Sequence, residues 1–242
     1  MKVTTLNYPG RLNDMRTSGR TVIIVDTLRA STCIVWAVKN GAEKVIPIAD
    51  PGDAATMHLM IGGECILAGE RGGIKVPGFD IGNSPLDFTA SAVRGKTVII
   101  CTTNGTNAIC AVKNASSPLI IGAMINKSAV ARRAVELGND VLILCAGTDG
   151  RISADDICTA GAIAEGIYAL RPAQYEQDDM TFMARTLYAD HAAKRVDLAQ
   201  TAHWSRLLKL GFAADVNFCF TEDITDVVPE LVSGIIRCAP ER

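Results

Sequence analysis

Six short runs of consecutive aliphatic and β-branched residues, spaced by alanine-rich stretches, restrict the possible folds of this chain more than any other feature. They cover residues 21–25, 44–48, 65–68, 97–101, 119–121 and 140–145. None of them alternates polar with apolar, so each reads as a strand covered on both faces, the pattern of a largely parallel sheet. The intervening stretches carry helix signals. Asn126 stands before 127–137, which has apolar residues at 130, 134 and 137 and a stop at Gly138. Residues 53–61 run into Gly62-Gly63, and 85–93 into Gly95. This alternation predicts an α/β fold, with a largely parallel or mixed sheet and helices on both faces. Residues 178–212 hold no strand candidate and predict a helical subregion of two or three helices near the C-terminus, while the tail beyond 215 offers a returning strand. No Pro-, Ser- or Gly-rich linker divides the chain, so residues 1–242 are expected to form a single α/β domain.

The charge balance excludes two partner classes. Lys plus Arg is 24 against 26 for Asp plus Glu, a net charge of −2, so no basic surface is available for nucleic acid or a membrane. Aromatics are only 5% of a chain that is 48% hydrophobic, so the core must be aliphatic; that apolar surplus also favours a homo-oligomer. No window reaches the roughly 18 apolar residues of a membrane span, and the first seven residues lack a signal-peptide pattern. The eight cysteines form no Cys-x-x-Cys pair and read as small core side chains in a reducing compartment. A cytoplasmic location is expected.

Chemistry concentrates in two places. Three strands end in a short polar turn followed by a helix, at 25–32, 101–106 and 145–150. Ligands in α/β sheets sit outside the carboxyl ends of strands, where helix N-termini offer free N–H groups, so three such turns on one edge suit an oxyanion. The second place is residues 69–85, where five glycines and two prolines in 17 residues predict a long irregular loop of functional character. It carries Glu70, Arg71, Lys75, Asp80, Asn83 and Ser84; Arg71 as a planar fork and Lys75 as a point charge can meet two anionic groups. Asn83-Ser84-Pro85 reads as a helix cap with proline in the first position.

Several familiar motifs fail. Residues 90–97 fit a relaxed phosphate-loop spacing, but a helix precedes the lysine and a strand follows it, the reverse of what that motif requires. Asp26 follows a strand as the nucleophile of aspartate phosphatases does, yet position 28 is Leu where those enzymes need a second aspartate. Cys145 and Arg151 have the spacing of a thiolate phosphatase loop, with Asp149 placing an unfavourable charge inside the cradle. The histidines (58, 191 and 203) are too few and scattered for a zinc triad; His191 and His203 read as surface or partly buried helix residues. A bound metal would be held by carboxylates, which favours Mg²⁺. Basic groups (Arg29, Arg71, Lys75), carboxylates (Asp26, Glu70, Asp80, Asp155, Asp156) and hydroxyl or amide turns (Ser31, Thr32, Thr102, Thr103, Asn104) together suit a small anionic phosphate ester with a hard divalent cation.

Four of these segments, in order, resemble the 2-phosphosulfolactate phosphatase (ComB-type) family: Asp26-x-x-Arg29-Ala30-Ser31-Thr32; Gly69-Glu70-Arg71-Gly72-Gly73-x-Lys75 with Gly78-Phe79-Asp80-x-Gly82-Asn83-Ser84-Pro85; Thr102-Thr103-Asn104-Gly105-Thr106; and Cys145-Ala146-Gly147 with Asp155-Asp156. Asp226-Val227-Val228-Pro229 also looks like that family, whereas its usual Glu-Asp stands here as Asp155-Asp156. The resemblance implies an α/β, Mg²⁺-dependent acid phosphatase hydrolysing 2-phosphosulfolactate to sulfolactate and phosphate, a step in coenzyme M biosynthesis. We then expect Asp26, with Asp155 or Asp156, to hold Mg²⁺. Arg29 and the turn Thr103, Asn104, Gly105 and Thr106 would meet the phosphoryl oxygens, with Ser31, Thr32, Asn83 and Ser84 near the substrate. Arg71 and Lys75 would bind its carboxylate and sulfonate, and Glu70 or Asp80 would serve as general base. Asp26 as nucleophile, a Cys145 thiolate phosphatase and a non-catalytic anion-binding module are the competing expectations.

Overall fold

Each aliphatic run is a strand in the computed structural model, which describes residues 1–14, 17–112 and 117–238. The strands are β1 (Lys2–Leu6), β2 (Arg20–Val25), β3 (Lys44–Pro47), β4 (Cys65–Arg71), β5 (Ile74–Lys75), β6 (Thr97–Cys101), β7 (Leu119–Gly122), β8 (Asp140–Cys145), β9 (Glu176–Gln177), β10 (Pro229–Val232) and β11 (Ile235–Cys238). They form one mixed sheet in the order β5-β4-β6-β3-β11-β10-β7-β2-β8-β1-β9. Two parallel blocks, β4-β6-β3 and β7-β2-β8-β1, are not paired with each other directly. The antiparallel hairpin β10–β11 wedges between them, pairing with β7 on one side and β3 on the other. The tail therefore returns two strands, at the middle of the sheet.

The helices are α1 (Ala30–Lys39), α2 (Pro51–Ile61), α3 (Ala90–Val93), α4 (Gly105–Val112), α5 (Lys127–Leu137), α6 (Ala154–Leu170), α7 (Asp179–Ala192), α8 (Ala202–Lys209) and α9 (Ala213–Cys219). Both faces of the sheet are covered, as the unbroken aliphatic runs require. Val22 and Ile24 of β2 pack with α1 and α4 on one face, and Ile23 and Val25 with α5, α6 and α7 on the other. Residues 178–212 supply α7 and α8, linked by a 3₁₀ turn at Leu198–Gln200. Among the described residues no helix is long and apolar enough to cross a membrane.

Three local expectations are corrected. The 69–85 segment is not irregular throughout: β4 continues through Glu70 to Arg71 and pairs with β5. Gly72 and Gly73, at φ +63° and +89°, form the two-residue turn that this hairpin needs. The stretch 85–93 is a 3₁₀ turn (Pro85–Asp87) followed by a separate helix, α3, which Thr89 caps by accepting from the Ala92 N–H. Asn126 sits at the start of α5 without capping it; its amide instead accepts from the Ala123 N–H and donates to the Ile121 and Val227 carbonyls. β1 was hidden in the sequence because Thr4 and Thr5 break its apolar run; Thr5 is buried against the Thr181 hydroxyl at 2.8 Å.

α6 and α7 approach so closely at Gly161 that a Cβ there would lie 2.0 Å from the Ala184 carbonyl oxygen. Gly161→Ala is therefore expected to force the two helices apart at a cost of about 3 kcal/mol, read as a lower denaturation midpoint in urea.

Candidate active site

The carboxyl ends of β2, β4, β6 and β8 open on one cleft. Asp26 follows β2 directly and is buried, in a turn that specifies its side chain closely. Its N–H donates to Ser31 Oγ at 2.9 Å, its carbonyl accepts the Ser31 N–H at 2.9 Å, and its Oδ1 accepts the Ala30 N–H at 3.2 Å. Oδ2 accepts no hydrogen bond from a described residue and lies where a Cβ on Gly105 would come within 2.6 Å, so only glycine can open α4 there.

Burial is the largest cause that raises Asp26 to about 7, with Asp155 and Glu70 adding to it and His203 and the Ala30 N–H opposing it. Asp156 is also buried and is pushed well above the carboxylate range by burial, with Asp155 and Asp26 adding. Its two oxygens accept the Thr27 N–H at 2.8 Å and the Gly147 N–H at 2.9 Å, stapling the β2 and β8 turns together. Glu70 does the equivalent for β4 and β6. It accepts the Thr103 N–H at 2.8 Å, the Thr103 hydroxyl at 3.2 Å and the Gly73 N–H at 2.6 Å.

Asp26, Arg29, Glu70, Asn83, Thr103 and Asn104 all face this cleft. Arg29, buried at 2% exposure, pairs with Asp215 at 2.5 Å, donates to the Gly73 carbonyl at 2.9 Å and stacks over the Phe212 ring at 4.0 Å. Asn83 and Ser84 do not cap a helix: Ser84 donates to Asp215 at 2.8 Å, and Asn83 Oδ1 is buried without a hydrogen-bond partner. Ser31, Thr32 and Thr106 brace turns and do not line the cleft. Thr32 donates to the Thr27 carbonyl at 2.9 Å, and Thr106 donates to the Thr102 hydroxyl and carbonyl at 3.1 and 2.8 Å and accepts the Thr102 N–H at 3.0 Å.

Two basic groups expected to bind the ligand do not line this cleft. Arg71 is committed to the Ala49 and Glu70 carbonyls at 2.6 and 2.8 Å, away from the cleft. Lys75 and Asp80 lie in a neighbouring cleft that shares Arg29 and Asn83 with the first. Asp80 itself is exposed and accepts the Leu67 N–H at 2.8 Å, so it is not placed to serve as base beside Asp26. The thiolate alternative fails on burial. Cys145 is fully enclosed in the core, and burial, with Asp156 and Asp155, pushes its thiol well above the ordinary value.

Sequence reasoning missed Asp149, His203, Arg206 and Asp215. His203 and Arg206 stand three apart on α8 and share a face, a spacing that would have revealed them as a pair. Both line the cleft; Arg206 reaches Asp149 at 3.2 Å and the Gly72 carbonyl at 3.0 Å, holding α8 over the β4–β5 turn. A third cleft continues from them past Ser153 to Arg151, which has no ion-pair partner among the described residues.

The residues present suit a hard cation at Asp26. No three His, Cys, Asp or Glu side chains cluster as a metal cage among the described residues. Mg²⁺, however, ordinarily takes one or two carboxylates and completes its shell with water and substrate phosphate. Asp26, with one oxygen free and its charge disfavoured by burial, fits that mode. Asp156, with both oxygens on backbone amides, does not. Asp155 is turned to Ser153 and His203.

The profile of the 2-phosphosulpholactate phosphatase family matches residues 7–234. The chain is 40% identical to a probable 2-phosphosulfolactate phosphatase of Caldanaerobacter subterraneus subsp. tengcongensis, aligned over 100% of both chains. It is 37% identical to proteins of the same description from Clostridium novyi, over 95% of this chain and 97% of the relative, and from Carboxydothermus hydrogenoformans, over 95% and 93%. The four motifs that meet at the cleft lie inside the matched span, and the chain belongs to the 2-phosphosulpholactate phosphatase family.

Proposed function

We propose that this chain hydrolyses 2-phosphosulfolactate to sulfolactate and inorganic phosphate, using Mg²⁺ held at Asp26. The observation that carries this reading is the free oxygen of the buried Asp26, facing the cleft at the meeting point of four strand ends, beside two arginines and the opening turn of α4. Bound there, Mg²⁺ would supply Lewis-acid neutralisation of the phosphoryl oxygens. Arg29 and Arg206, with the Thr103–Asn104 turn, would hold the phosphoryl group in line with an attacking water. Glu70 keeps that turn in place through its two hydrogen bonds from Thr103. The carboxylate and sulfonate of the substrate would meet Arg151 in the adjoining cleft and Arg206 between the two.

The test is phosphate release from 2-phosphosulfolactate by the purified chain. We expect turnover that EDTA abolishes and Mg²⁺ restores, that Cys145→Ser leaves intact, and that places heavy oxygen from labelled water in phosphate only. Binding without turnover would identify an anion-binding module instead. Heavy oxygen in Asp26 after one turnover would make that residue the nucleophile.

A further inference from the structure

We propose that His203 is the general acid of this site, donating a proton from Nε2 to the ester oxygen as its bond to phosphorus breaks, with Asp155 and Ser153 as its positioning residues. The inference rests on the phosphatase reading and assigns within it the one role that the cleft otherwise leaves unfilled. Phosphoryl transfer passes through a loose transition state in which little bond formation to water has occurred and charge builds on the leaving oxygen. A 2-hydroxy acid leaves as an alkoxide of high basicity, so a proton at that oxygen is the main thing a side chain can contribute.

Few groups in the cleft can deliver one. Both Glu70 oxygens act as acceptors from Thr103 and Gly73. Asp149 is paired with Arg206, and a guanidinium does not release its proton. Asp80 lies in the neighbouring cleft.

His203 is built differently. Its side chain is 14% exposed, lines the cleft, and sets Nδ1 at 3.3 Å from Ser153 Oγ and 3.4 Å from Asp155 Oδ2. Ser153 has a single hydroxyl proton, and it goes to Asp155 Oδ1 at 2.5 Å. Ser153 therefore presents a lone pair to His203, which fixes the hydrogen on Nδ1 and leaves Nε2 as the nitrogen that gains and loses the mobile proton. Asp155 is fully buried, and its Oδ2 makes no hydrogen bond, so His203 is the cation it faces. The groups facing His203 are Asp155, Asp26 and Arg206.

In the step itself, the P–O electron pair passes to the leaving oxygen, which takes the Nε2 proton and departs as the neutral alcohol. The attacking water keeps one proton on the product phosphate, and its other proton restores His203 through solvent.

The experiment compares two phosphate monoesters: 2-phosphosulfolactate, whose leaving group needs a proton, and p-nitrophenyl phosphate, whose phenolate does not. His203→Gln is expected to cut kcat on the alkyl ester about 10²–10³-fold and on the aryl ester less than about tenfold. Asp155→Asn should show the same selectivity with a smaller loss in kcat and little change in KM. Equal losses on both esters, with the fold intact by circular dichroism, would overturn the role of His203 alone. A wild-type chain inactive on both esters would overturn the phosphatase reading and this inference together. Should His203→Gln unfold, a leaving-group series on the wild type reads the same quantity: rates nearly independent of leaving-group pKa are expected, and a steep dependence would overturn the proposal.

Discussion

Asp26→Asn is expected to abolish phosphate release, by at least about 10³-fold, while making the metal-free chain more stable above pH 7. Asp26 is buried, and its pKa is raised from 3.8 to about 7. A carboxyl raised on folding contributes stability that is fully present below its unfolded value, and that stability is lost as pH climbs through the folded value. The wild-type chain should therefore weaken progressively between about pH 4 and pH 7, by about 4 kcal/mol at the upper limit. Asparagine can still accept the Ala30 N–H and carries no charge, so it escapes that loss. Thermal melts in EDTA at pH 5 and pH 8 check this: the variant should gain several degrees at pH 8 and little at pH 5. A variant no more stable than the wild type at pH 8 would show that Asp26 is not held charged in a dry site.

The second large effect lies outside the cleft. Asp215 accepts from Arg29 and from Ser84 and is itself only 4% exposed. Asp215→Ala would leave the Arg29 guanidinium buried with only the Gly73 carbonyl and the Phe212 ring for company. Removing one partner of a buried pair typically costs about 3–5 kcal/mol, because the remaining charge is uncompensated. The loss should appear both as a lower urea midpoint and as a sharp fall in kcat/KM, since Arg29 faces the phosphoryl site. Arg29→Met with Asp215→Leu should recover much of the stability and none of the activity, which separates the two roles of the pair.

Most of the fold was legible because the strands are covered on both faces and so lack polar interruptions. β8 and α5 match the expected 140–145 and 127–137. What escaped was decided by partners far away in sequence. β1 is polar where Thr5 meets Thr181, and the β10–β11 hairpin is too short to signal itself without β3 and β7 beside it. At the site, Asp26, Arg29, Thr103 and Asn104 were read from the strand–turn–helix pattern and Glu70 from the glycine-rich stretch, and all five line the cleft. His203 and Asp215 were not, because α8 and α9 carry no such pattern and acquire their roles only by folding back over the strand ends. Arg71 misled for a related reason: a basic residue in a glycine-rich stretch looks free until two backbone carbonyls are found to hold it.

The seam between the two parallel blocks has a consequence for biosynthesis. Asp26 is borne on one block, Glu70 and Thr103 on the other, and the hairpin that joins the blocks spans residues 229–238. During translation, both half-sheets emerge from the ribosome well before the segment that sets them side by side. Until that hairpin arrives, each half exposes an unpaired strand edge, at β3 and at β7, open to wrong association. The working cleft is thus assembled only once that hairpin has been made, not as each half of it appears.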